Sequence, residues 1–117
     1  MPNVKIKSKL ISVYDNKMNL LERNIDQIRR LCQTNSVNEL YAFGSITNRN
    51  FTDDSDVDLM VDISDPDPIS YSDKYFDLKF SLEDTLGRAV DLLESKAIRN
   101  PYLKEEIERT KILIYGR

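Results

Sequence analysis

The chain has 117 residues, 32% of them charged, and a net charge of −3. That fits one globular domain (1–117) and argues against general nucleic-acid binding, which normally needs a basic surface. It contains no histidine and a single cysteine, Cys32. This excludes histidine triads, histidine bases, cysteine-rich zinc sites and intrachain disulfides. No apolar run approaches the ~18 residues of a membrane span, and MPNVKIKSK has no apolar signal core, so no membrane association and a cytoplasmic location are expected.

Residues 1–15 carry no decisive pattern and stand as an uncertain N-terminal extension. From Asn16 to Gln33, Leu21, Ile25, Ile28 and Cys32 recur with helical spacing, predicting an amphipathic helix in which Cys32 packs on the apolar face. Thr34-Asn35-Ser36 should end it. Val37 to Phe43 reads as a strand stopping at Gly44, and Ser45 to Asn50 as one or two helical turns. Val57 to Ile63 is a second strand. The loop Ser64 to Pro68 opens a helix that runs to about Leu86, with Gly87 as its C-terminal cap. Its aromatic residues Tyr71, Tyr75, Phe76 and Phe80 are expected in the core. Ala89 to Leu93 is a short strand carrying Asp91. Asn100-Pro101 starts a last helix, ending near Thr110, with KILIY as a short extended tail. The order predicts an α/β (α+β) domain with a small mixed β-sheet and flanking helices.

The block FGSITNRNFTDDSDVDLMVDI carries the chemistry. Asp56 and Asp58 alternate with Val57, Leu59 and Val61, so an extended chain projects both carboxylates from one face. Carboxylates held side by side repel unless a cation lies between them, and Mg²⁺ commonly takes one or two carboxylates plus substrate phosphates. Twelve residues before Asp56, Gly44 offers a backbone that bends sharply and approaches a ligand closely. Ser45 follows where a helical start would attract phosphate. A calcium loop is the other reading of Asp54, Asp56 and Asp58. It fails because Leu59 occupies the glycine position and Asp65 the final glutamate position.

Gly-Ser at this spacing from Ser-Asp-x-Asp-Leu resembles the nucleotidyltransferase fold typified by DNA polymerase beta. The small size and the segments VDLLE and NPYLKEEIERTKILIYG look like the minimal nucleotidyltransferase (MNT) branch, including the MntA-type antitoxins of HEPN/MNT toxin–antitoxin pairs. The resemblance spans roughly residues 18–117. It implies that Gly44 and Ser45 bind phosphate and that Asp56, Asp58 and Asp91 are catalytic and hold two Mg²⁺ ions with a bound NTP. The family often has Arg-x-Arg-Gly after Gly-Ser. Here the stretch is Ile46-Thr47-Asn48-Arg49, which leaves Arg49 to contact phosphate from a shifted position.

The implied activity transfers AMP from ATP to a hydroxyl acceptor, a tyrosine of a HEPN-type partner protein, so that the chain acts as an antitoxin. Two alternatives are a small-molecule, aminoglycoside-type nucleotidyltransferase with a substrate-binding partner chain, and a catalytically weak module that masks its partner. Several carboxylates also have plainer readings. Asp53, Asp54 and Asp62 suit solvated charges, and Asp91 could pair with Arg88 or Lys96.

Overall fold

A computed structural model describes residues 20–47 and 51–116. The readings of residues 1–19 and of Asn48, Arg49 and Asn50 lie outside the described residues. Residues 20–23 are helical and lead through a turn at Asn24, whose side-chain amide donates to the Leu20 carbonyl at 2.8 Å, into helix α1 (Ile25–Thr34). Leu21, Ile28 and Cys32 are buried, as the helical spacing predicts. The helix stops at Asn35 and Ser36. The Asn35 amide donates to Leu31 O and to Asp77 Oδ2, both at 2.9 Å. Ser36 takes a left-handed turn at φ +57°, a conformation a helix cannot continue through.

Strands β1 (Val37–Phe43), β2 (Val57–Ile63), β3 (Val90–Glu94) and β4 (Ile112–Gly116) form one sheet in the order β3-β2-β1-β4. β1 is antiparallel to both β2 and β4, whereas β2 and β3 run parallel, so the sheet is mixed, as expected. The extended tail is thus a full edge strand. β3 begins and ends one residue later than predicted; Ala89 O accepts the Val57 N–H at 3.0 Å at the start of its pairing with β2.

Side-chain alternation gives the sheet two faces. Leu40, Ala42, Val57, Leu59, Val61, Ile63, Val90 and Leu92 join Ile28 and Cys32 of α1 in the larger core. Helix α2 (Pro68–Leu86) covers the same face with Leu78, Leu82 and Leu86. On the opposite face Tyr41, Phe43 and Met60 pack with Ile98 and with Ile107 of helix α3 (Pro101–Thr110). Asn100 caps α3 by accepting from the N–H groups of Tyr102 and Leu103, and Gly87 ends α2 at φ +70°, both as predicted.

The aromatic residues of α2 divide. Tyr71 and Tyr75 pack against the core, but Phe76 and Phe80 are 48% and 58% exposed and stack on each other at 5.9 Å. Their placement in the core is corrected by geometry: two residues along a helix is about 200° around it, so positions 76 and 80 face away from Leu78 and Leu82. Tyr75 and Glu83 instead close the outer edge of β3. The Tyr75 hydroxyl donates to Leu92 O at 2.6 Å, and Glu83 accepts the Val90 N–H at 2.9 Å. These contacts predict unequal costs along one helix. Leu78→Ala should lower unfolding stability by about 3 kcal/mol in equilibrium urea denaturation, and Phe80→Ala by less than about 1 kcal/mol.

Candidate active site

The sheet topology gathers the candidate residues at one end. β1 runs toward that end and finishes at Phe43, whose cross-strand partner is Asp58. β2 starts there, and because β3 is parallel to it, Asp58 and Asp91 are register partners on neighbouring strands. Register partners share a face, so both carboxylates lie on the α3 side. Asp56 sits one residue ahead of β2, at the mouth of the same strand. Three aspartates separated by up to 35 positions (91 − 56) in sequence thus meet at one sheet end.

Gly44 follows directly on β1, and its φ of +72° lies in the left-handed region. A β-carbon on Gly44 would stand 2.7 Å from Asp58 Oδ2, closer than real β-carbons approach. The glycine is therefore favoured by its backbone conformation, and a side chain here would also push the Asp58 carboxylate aside. The segment Gly44–Thr47 is a 3₁₀ turn with Ile46 fully buried, in keeping with the helical turn expected from Ser45; the part expected at Asn48–Asn50 lies outside the described residues. Threonine hydroxyls tie the turn down: Thr47 Oγ1 donates to Gly44 O at 2.6 Å, and Thr110 Oγ1 accepts the Gly44 N–H at 3.3 Å. Arg49 lies outside the described residues.

Burial, then the charges of Asp91, Asp56 and Glu106, push the Asp58 carboxyl up to about 6. None of Asp56, Asp58 and Asp91 joins an ion pair among the described residues. The cations that sequence offered to Asp91 are engaged elsewhere. Arg88 Nη1 donates to the carbonyls of Thr52 and Ser55, both at 3.1 Å, with its guanidinium 4.6 Å from the Phe51 ring centroid. Lys96 pairs with Asp62 at 3.3 Å. Among the described residues the carboxylates repel with no ion-pair counter-charge, which fits the chemistry of a divalent-cation site. Among the described residues no three acidic groups close into a metal cage by themselves. A Mg²⁺ ion that completes its shell with water and phosphate oxygens does not need one.

Three residues near the site were not singled out by sequence. Glu106 adds a fourth negative charge from α3, Thr110 reaches Gly44 across 66 positions, and Arg88 holds the loop that delivers Asp56. Glu106 and Thr110 are four apart at the end of α3, a spacing that puts both on one helix face. Only the packing of α3 over the sheet shows that this face meets the aspartates.

Comparison with known proteins agrees with this fold. Residues 26–117 match the family model described as polymerase beta, nucleotidyltransferase. A Methanocaldococcus jannaschii protein named "putative protein adenylyltransferase MJ1379" is 38% identical over 78 residues, covering 67% of this chain and 77% of its own. Among solved structures, a minimal nucleotidyltransferase superposes with a TM-score of 0.67 at 26% identity, covering 81% of this chain and 93% of that one. The complex of a tri-AMPylated Shewanella oneidensis HEPN toxin with its MNT antitoxin matches with a TM-score of 0.57 at 22% identity, covering 82% and 72%. At that identity the likeness is one of fold. Family model and relative together show that this chain belongs to the polymerase beta nucleotidyltransferase family and is a nucleotidyltransferase.

Proposed function

We propose that the chain is a Mg²⁺-dependent protein adenylyltransferase that moves AMP from ATP onto a tyrosine hydroxyl of a HEPN-type partner and thereby acts as its antitoxin. The observation that carries this reading is the meeting of Asp56, Asp58 and Asp91 beside Gly44 with no ion-pair partner among the described residues. Asp56, Asp58 and Asp91 would hold two Mg²⁺ ions, and Gly44, Ser45 and Arg49 would receive the triphosphate. When bound, the ions neutralise triphosphate charge and lower the pKa of the attacking hydroxyl.

The chain's own groups do the rest. The Gly44-Ser45 turn sets the triphosphate against the carboxylates, because Gly44 lets the backbone pass within contact distance of Asp58. Transfer forms a bond from the acceptor oxygen to the α-phosphorus and breaks the bond to the departing pyrophosphate. Asp91, at the edge of the trio, takes the acceptor proton. Its strand is held at the right height by Tyr75 and Glu83, and Asp56 is held by the Arg88-braced loop. The partner reading draws on the protein-adenylyltransferase name of the 38%-identical relative and on the HEPN complex of the structural neighbour. Such a reaction, fed by cellular ATP, belongs in the cytoplasm. No helix among the described residues is long and apolar enough to cross a membrane.

Incubation with labelled ATP, Mg²⁺ and a HEPN-type protein from the same genome should add adenylate to that protein, read by intact mass. Asp58→Asn and Asp91→Asn should each reduce transfer at least about a hundredfold while leaving the fold intact by circular dichroism. Partner silencing that survives both substitutions without any gain of mass would replace catalysis with masking.

The raised Asp58 carboxyl gives a pH signature. Its protonated form persists to about pH 6 in the folded chain. Its contribution to stability is therefore complete below the ordinary carboxylate range and is lost as pH rises through about 6, where the ionised group faces its neighbours. A cation reverses that penalty only once the carboxylate is ionised. The rise in melting temperature produced by Mg²⁺ with AMP-PNP should thus be large above about pH 7 and small near pH 5, as read by calorimetry. An equal rise at both values would remove Asp58 from the metal site.

A further inference from the structure

Thr110 does more than end a helix. Its hydroxyl donates back to Glu106 O at 2.8 Å, the ordinary habit of a helical threonine. The same oxygen accepts the Gly44 N–H at 3.3 Å, so one side chain joins the last turn of α3 to the first residue of the Gly-Ser turn. The donation to Glu106 fixes the hydroxyl proton away from Gly44 and leaves a lone pair to receive its N–H. From within the turn, Thr47 Oγ1 holds the Gly44 carbonyl at 2.6 Å. On its other side Gly44 lies close to Asp58, where a β-carbon would stand 2.7 Å from Oδ2. A small rotation of this residue therefore moves the turn relative to the carboxylate.

We propose that Thr110 is a positioning residue for nucleotide binding, latching the Gly-Ser turn to α3 so that the turn keeps its distance from Asp58. This inference rests on the reading of that turn as the triphosphate seat. It also links the C-terminal helix and β4, which begins two residues after Thr110 and pairs with β1 through Ile112 and Ala42, to the geometry of the site. Valine at this position keeps the β-branched shape and removes the hydroxyl; serine keeps the hydroxyl and removes only a methyl group.

Two measurements on wild type, Thr110→Val and Thr110→Ser test it. In the nucleotide-free protein, amide exchange at Gly44 should quicken about two- to tenfold in Thr110→Val and stay near wild type in Thr110→Ser. In calorimetric titration with AMP-PNP and Mg²⁺, Thr110→Val should bind about two- to tenfold more weakly and Thr110→Ser as wild type does. With ATP the loss should appear in KM and leave kcat nearly unchanged. Unaltered Gly44 exchange in Thr110→Val overturns the latch. So does faster exchange with unaltered AMP-PNP affinity, which leaves Thr110 a structural residue only. Wild type that binds no AMP-PNP at all instead overturns the nucleotide reading of the turn, and the latch's purpose with it, whatever the exchange data show.

Discussion

The approach of Asp58 to Gly44 governs the rest of the site. A carboxylate is packed against a backbone that must turn left-handed, with two further aspartates and a glutamate within electrostatic reach. Such an arrangement is unfavourable for an isolated fold, because like charges at short range raise one another's pKa and oppose burial. The cation proposed for this site would make it favourable. On the proposed reading, stability and function pull in opposite directions at this one sheet end, as expected where a site is organised ahead of its ligand.

The surrounding fold can be read as support for that end. The larger core fixes β2 through Val57, Leu59, Val61 and Ile63, and the alternating positions are thereby committed to the α3 face. The parallel pairing of β2 and β3 then sets Asp91 beside Asp58 with no freedom to slip, since a one-residue shift would expose Val90 and Leu92. Side chains from α2 close the outer edge of β3, and α3 closes the remaining side through Ile107 and Thr110. Rigid elements on three sides hold the carboxylates, as accurate placement of a reacting group requires.

What sequence conveyed depended on how local the determinant was. The Asp56–Asp58 pair was legible because strand periodicity is two, and the caps at Gly87 and Asn100 because capping chemistry involves neighbouring residues. The fold class followed from the order of such elements. Asp91 was named by resemblance, but whether it met Asp58 or paired with Arg88 or Lys96 depended on strand register, which no local pattern reports. Thr110 and Glu106 stayed hidden because their contribution comes from the way α3 crosses the sheet. Phe76 and Phe80 show the opposite error: apolarity alone placed them inside, although their helical phase relative to Leu78 and Leu82 already pointed outward.

The central claim is that Asp56, Asp58 and Asp91 form one divalent-metal site shared with a nucleoside triphosphate. Anomalous diffraction from crystals grown with Mn²⁺ and AMP-PNP tests it most directly. Manganese peaks within about 2.5 Å of carboxylate oxygens from all three aspartates, with the triphosphate along the Gly44-Ser45 turn, are the predicted result. Bound nucleotide with manganese away from these aspartates, or a triphosphate seated elsewhere on the sheet, would contradict the account.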